Sequence, residues 1–362
     1  MGLIGLMTLM GCSQADDEVE PAEVQEAAIV FASSVQEEQA VTRATAPLSD
    51  IYHNFKVWAF KNDAYDSGTG SYTHFQTVMP GFIVNWSSAT AYTTTSNSSD
   101  WEYVAQGDTP AQQAAQTIKY WDFNALAYRF IACAPATAGQ DVTQTASQLS
   151  FTLDVDCTDL EHAPYYSELW FSTGNPSLYP TRQFGQPVEL RFQRPVARVR
   201  FLFRYPSGSA VEITHEQLED IAFGPQDPTT EIARKGSVTL SYPLQGTATA
   251  YSWSSTPDAV DAKTLAAFTE DYQEGVEGKE IWYYVLPVSA AQQGNYQLSV
   301  TVLSEDHEAV VPAEYMSWNP GYEYTYIFKI LDDGTVLIDS VQVAYHPWDT
   351  SSKDRNYEVF NW

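Results

Sequence analysis

From residue 51 onward the chain sets apolar and polar residues in alternation over short runs, broken by Gly, Pro, Asn and Ser. A period of two with frequent turn residues predicts half-buried β-strands. Residues 55–60 form the first, ending in a turn-rich stretch over 62–70, and residues 77–84 the second, broken near Pro80-Gly81. A short strand follows at 101–104. Residues 128–135 make a strongly apolar strand that stops at a proline, which has no N–H to offer a ladder. Residues 149–155 alternate cleanly. Later strands are expected near 220–223, 237–242, 281–288, 297–303, 322–331 and 336–345, while 111–119 offers one turn of helix. So many short strands with so little helix predict an all-β chain of two tandem β-sandwich domains, of transthyretin-like or Greek-key type.

Residues 188–204 carry a denser signal. Arg191, Arg194, Arg198, Arg200 and Arg204 alternate with apolar neighbours, as in one long strand with a charged outer face. They could form a nucleic-acid patch, or pair with nearby Asp and Glu on a solvent face. The second reading fits the whole chain better, because its 362 residues carry a formal net charge of −28. No cationic surface is left to displace counterions from phosphates, and adsorption to an anionic membrane is disfavoured too. The start of this arginine strand marks a second domain over 187–362, after a first over 44–186.

The N-terminus reads as processing signals. Residues 1–10 are apolar but too short to span a bilayer, and they run into Leu9-Met10-Gly11-Cys12. A hydrophobic residue, a small residue and then Cys is the pattern of a bacterial lipobox. Cys12 would be acylated there, and several acyl chains suffice for stable anchoring. Residues 1–12 are thus a lipoprotein signal, and 13–43 an acidic leader without Lys or Arg before Arg43. Within the leader, Ile29, Val30, Phe31 and Ala32 form an isolated strand. Arg43-Ala44 follows in a polar stretch, either an accessible cleavage point or one charge in a linker. Cys133 and Cys157 are either a disulfide or two buried thiols.

Catalytic and metal motifs do not assemble. His215-Glu216 lacks the second histidine four residues on that a zinc-protease helix needs. Asp154, Asp156 and Asp159 lack the glycine and the terminal glutamate of a calcium loop. No nucleophile elbow or phosphate loop occurs, and no cofactor is expected.

Three segments carry a resemblance to a known family. They are Ile118-Lys119-Tyr120-Trp121-Asp122-Phe123 with Tyr128-Arg129-Phe130-Ile131-Ala132-Cys133-Ala134-Pro135, then Arg194-Pro195-Val196-Ala197-Arg198-Val199, then Trp318-Asn319-Pro320-Gly321-Tyr322-Glu323-Tyr324-Thr325-Tyr326. In this order, behind a lipobox, they resemble the fimbrillins, the type V pilins of Gram-negative gut and oral anaerobes. The resemblance implies a non-enzymatic pilin subunit, exported as a lipoprotein to the outer membrane surface. It further implies cleavage after Arg43, leaving Ala44 first, with loss of the strand over Ile29, Val30, Phe31 and Ala32. A C-terminal segment of another copy or a related subunit would refill the groove head to tail, with Val341, Val343, Tyr345, Trp348 and Phe360 as pocket-fillers. The alternatives are a non-polymerising tip adhesin, binding host glycans or proteins through aromatics such as Trp86, Trp101, Trp253 and Trp318, or a membrane anchor subunit.

Overall fold

A computed structural model describes residues 27–35, 52–86, 101–138, 141–159, 162–173, 183–204, 218–226, 232, 234–247, 250–258, 273–275, 278–289, 294–345 and 358–361. The chain runs through β1 (Phe31–Val35), β2 (Asn54–Asp66), β3 (Ser71–Trp86), β4 (Trp101–Glu102), α1 (Pro110–Ala115), β5 (Ala127–Ala134), β6 (Asp141–Gln144) and β7 (Gln148–Asp156). It continues through β8 (Tyr165–Ser167), β9 (Trp170–Thr173), β10 (Val188–Gln193), β11 (Ala197–Arg204), β12 (Leu218–Pro225), β13 (Lys235–Pro243) and β14 (Ser252–Pro257). The last strands are β15 (Gln273–Gly275), β16 (Gly278–Val285), β17 (Tyr296–Val302), β18 (Glu305–Val311), β19 (Tyr322–Ile330), β20 (Val336–Tyr345) and β21 (Glu358–Asn361). The all-β expectation holds. The helical turn shrinks to α1, a capping box closed by Thr109 and Gln112, with no buried residue to extend it.

Among the described residues, four sheets share three cores. The largest has the order β1-β10-β8-β5-β2-β3-β4, with β9 also on β5. One of its faces, with Trp58, Phe60, Ile131 and Cys133, packs on a sheet of order β14-β13-β7-β6 through Phe151, Leu153, Val238 and Leu240. Its other face, with Phe55, Val57, Phe130 and Leu190, is covered by Trp101, Tyr103, Trp121 and Phe184. A third core joins the sheet β15-β16-β11-β19-β20-β21 to the sheet β12-β17-β18 around Phe201, Phe223, Trp318 and Tyr326.

Three local expectations change. β2 and β3 form one long hairpin rather than strands ending near Asn62 and Pro80-Gly81. Two bulges absorb the irregularity: Val57 pairs with Phe82 and Trp58 with Pro80, so Gly81 is left over at φ +82. A side chain there would press into the Trp58 indole at 3.1 Å. The arginine-rich segment is two strands, because Arg194-Pro195-Val196 breaks the ladder: β10 lies in the first sheet and β11 in the third-core sheet. Its charged face is not all solvent, since Arg198 is buried beside buried Glu323, 3.4 Å away.

Sheet pairing also crosses the expected boundary at 186/187. β10 pairs with β1 and β8, and β13 pairs with β7 over nine consecutive positions. A buried polar clamp secures this crossing. The Arg129 guanidinium donates to the Asn62 carbonyl and to the Gly246 carbonyl (2.6 Å), while the Asn62 amide donates to the carbonyls of Thr73 and Leu244 (3.2 Å each). Arg129 also stacks on Phe171 at 4.6 Å. Removing one partner of a buried charged bond leaves the others desolvated and unmatched. Arg129→Leu is therefore expected to cost about 3 kcal/mol, read as a lower urea midpoint at unchanged slope.

Candidate strand-exchange groove

The leader strand completes the largest sheet at its edge. It is held on both sides by main-chain bonds. Ile29 N–H donates to Lys119 O (2.8 Å) and Trp121 N–H to Ala27 O (2.9 Å), with an antiparallel bridge between Ala28 and Tyr120. On the other side Val188 N–H donates to Val30 O (2.9 Å), and β1 continues parallel to β10 with Phe31 beside Val188 and Val35 beside Phe192.

Alternation then sends Ile29 and Phe31 to the core, both fully buried, while Val30 is nearly buried and Ala32 half-buried. The Phe31 ring meets Phe55, Tyr103 and Phe130 edge-on, with centroids 5.8, 5.9 and 6.0 Å away. Such contacts add to the roughly 1.5–3 kcal/mol of burying each large apolar side chain.

Tyr103 is a residue that alternation alone did not single out. Its hydroxyl accepts from the Lys119 amide (3.0 Å) and donates to the Ile29 carbonyl (3.1 Å), so one phenol ties the leader to the strip beside it. Burial pushes this phenol up to about 12. Buried Gln116 sets Tyr103 in place: its carboxamide bonds both main-chain groups of Ile83 and the Tyr103 carbonyl (2.7 Å). Nothing in a stretch read as a short strand and a helical turn announces that role.

Taken without Ile29, Val30, Phe31 and Ala32, this edge is a trough walled by Phe55, Tyr103, Phe130, Val188 and Leu190. Its rims are the main-chain groups of Lys119, Trp121 and Val188. An unpaired edge above an apolar trough is a site for strand addition.

The other expected site residues fall elsewhere. Val341, Val343 and Tyr345 stand on β20, in register with Tyr326, Tyr324 and Tyr322 of β19, and Phe360 on β21 pairs with Val341. These four share one hairpin of a different sheet from β1, and Val341 is buried in its core. Cys12, Arg43, Ala44, Trp348 and His215 lie outside the described residues. Trp101 and Trp318 are core rather than ligand-facing, and the Trp318 indole donates to the Tyr326 hydroxyl at 3.0 Å. Cys133 and Cys157 are separate buried thiols, each raised to about 12 by burial. Asp156 bonds Lys235 at 2.6 Å and His162 bonds Asp159 at 2.9 Å, so the aspartate cluster is a hydrogen-bonded turn. Among the described residues no group of three His, Cys, Asp or Glu could hold a metal ion.

Two predictions follow from this geometry. Phe31→Ala is expected to cost about 3–5 kcal/mol, felt first as local opening of the edge. Hydrogen exchange should speed up at the Ile29 and Val188 amides well before the core amides of β19. Separately, the Tyr103 phenol keeps its proton in the folded chain where the unfolded chain releases it near 10. Its contribution is complete below pH 10 and is lost as pH rises toward 12. Thermal melts across that window should fall less steeply for Tyr103→Phe than for the parent.

No curated protein matches the chain. Solved structures similar to it include one of a candidate cell adhesion protein from Bacteroides ovatus, 12% identical, covering 87% of this chain and 97% of that one, TM-score 0.41. Another, of a candidate cell adhesion protein from Bacteroides uniformis, is 13% identical over 95% of this chain and all of that one, TM-score 0.39. The family described as fimbrillin-like matches residues 42–348, from just before Arg43 to Trp348. With that match over most of its length, the chain belongs to the fimbrillin-like family.

Proposed function

We propose that this chain is a structural pilin subunit, delivered to the cell surface as a lipoprotein and polymerised by donor-strand exchange. The observation that carries the reading is the placement of Phe31. A strand from an acidic leader supplies fully buried core side chains and is paired on both sides, at Ala28 with Tyr120 and along the ladder to β10. A strand so placed is stable while attached and leaves a single continuous trough when removed.

In this reading Cys12 is acylated and holds the subunit at the outer membrane. Cleavage between Arg43 and Ala44 cuts the leader free of the body. The segment with Ile29, Val30, Phe31 and Ala32 then leaves, and a C-terminal segment of another copy or a related subunit takes its place. Because groove and donor are different surfaces, each addition exposes a fresh site, and the contact grows an open filament. Of the expected donor residues, Val341 is buried in its own sheet. Phe360, on an outer strand that pairs among the described residues only with β20, is freer, and Trp348 lies on the connection to it. The donor is accordingly read as the chain from about Trp348 onward, with Val343 and Tyr345 following only if β20 peels as well. Adhesion to host cells or other bacteria would then be a property of the fibre.

The test is the N-terminus and assembly state of protein taken from its native cell surface. Chains beginning at Ala44 in large heat-resistant assemblies are expected, and Arg43→Ala should leave only monomers. Intact chains beginning at acylated Cys12, without polymer in the parent, would overturn the reading in favour of a membrane anchor or a tethered adhesin.

A further inference from the structure

Among the described residues, eight strands stand at the ends of the four sheet orders: β1 and β4, β14 and β6, β12 and β18, β15 and β21. An end strand offers a row of main-chain donors and acceptors to any passing strand, and a charged residue on it is a common guard against such pairing. Six of the eight carry an acidic residue: Glu102 in β4, Asp141 in β6, Glu219 in β12, Glu274 in β15, Glu308 in β18 and Glu358 in β21. The two exceptions are β1, read above as exchangeable, and β14, which reads Ser-Trp-Ser-Ser-Thr-Pro.

β14 is also regular and firmly seated. It pairs with β13 at six successive positions, from Gly236 with Pro257 to Ser241 with Ser252, and no bulge twists it away. On its inner side Trp253 packs on the core between β7, β13 and the first sheet, and the Ser255 hydroxyl donates to Pro287 O (2.6 Å). Ser252, Ser254 and Thr256 therefore lie on the outer face, all exposed. They continue a face of hydroxyls across β13 and β7, where Thr239 bonds Thr152 (2.9 Å) and Ser241 bonds Ser150 (2.8 Å). Pro257, itself a blunting residue, stands at the strand's end and leaves the residues before it free to pair. The edge is thus fixed before any partner arrives, which spares the ordering cost of binding.

The charge of the chain selects the partner. At a net charge of −28, two copies repel through most of their surface, whereas two β14 edges set no carboxylate opposite another. The nearest acid in sequence, Asp258, lies past Pro257, with its N–H turned to Lys235 O (3.0 Å). Directly opposed residues of an antiparallel ladder share a face. Hydroxyls therefore stay with hydroxyls when Ser254 meets Ser254 of a second copy, with Ser252 opposite Thr256 and Trp253 opposite Ser255. We propose that β14 pairs antiparallel with β14 of a second copy about a two-fold axis at Ser254, joining two four-stranded sheets into one. A single strand pair falls short of the roughly 1,200–2,000 Å² of stable interfaces. The contact is accordingly weak between free copies and strong only where many copies are held side by side. It uses a different sheet from the leader groove and does not rest on strand exchange.

Sedimentation analysis of the full chain tests this, with thiols kept reduced and the leader attached so that strand exchange cannot contribute. In about 0.15 M salt, which screens exposed charges beyond about 8 Å, a monomer–dimer equilibrium is expected with a Kd below about 1 mM. S254E and S254K each set like charges opposite one another and should weaken dimerisation about tenfold or more. Both alter an exposed position and should leave near-UV circular dichroism unchanged. Mixed in equal amounts, the two variants should pair at least as tightly as the parent, as a two-fold contact at this position requires. T143E, on β6 at the other edge of the same sheet, should dimerise as the parent does. The proposal is overturned if the parent stays monomeric at about 1 mM, if S254E dimerises as well as the parent, if the mixture stays monomeric, or if T143E loses the dimer.

Discussion

The burial of Phe31 is the contact on which the first sheet's edge depends. β1 is short, parallel to the ladder partner it has among the described residues and preceded by an acidic stretch, so local propensity does little to hold it. What holds it is a ring placed edge-on against three others, and a phenol that bonds its main chain. Apolar burial of that kind is non-directional: it requires a strand with large side chains at alternate positions, but not a strand from the same chain. The proposed strand exchange would exploit this indifference.

In the proposed exchange the same sheet would have to survive without its edge strand, and its packing on the other face allows that. Among its described side chains, β1 contributes Phe31 to the core on one face. The opposite face is covered by β7 and β13, and the Asn62–Arg129 clamp fastens the chain after β13 onto β2 and β5. Phe151, Leu153, Val238 and Leu240 keep their neighbours whether or not the trough is filled. The crossing of β13 into this layer thus separates the stability of the sandwich from the occupancy of its edge.

Much of the strand content was legible from alternation, because one-sided burial imposes a period of two. The spans expected at 149–155, 297–303, 322–331 and 336–345 match β7, β17, β19 and β20 closely. Segments whose stabilisation is not periodic were missed. β18 reads Glu-Asp-His-Glu before its apolar end, and it is a strand because β17 pairs along its length. β14, mostly Ser and Thr, is likewise held by β13. The arginines misled for a related reason. Alternation locates a face, but whether that face meets water depends on packing remote in sequence, here Glu323 beside Arg198. At the groove, Ile29 and Phe31 were visible as an isolated apolar run. Tyr103 and Gln116 were not, since their value lies in hydrogen bonds to a strand more than seventy positions away for one and to β3 for the other.

β1 and β21 differ in how they are held, and in the proposed assembly that difference would give growth a direction. Ile29 and Phe31 enter a trough closed on both sides, so a strand bound there is paired along two rims and packed beneath. Among the described residues β21 has a ladder partner on one side alone, β20. A segment that moves from a one-sided to a two-sided position gains main-chain bonds and apolar burial together, provided the trough is empty. While the leader fills it, the exchange offers no such gain, because one buried strand would merely replace another. In the proposed assembly, removal of the leader would therefore be the step that makes polymerisation favourable, and an attached leader would keep the subunit monomeric.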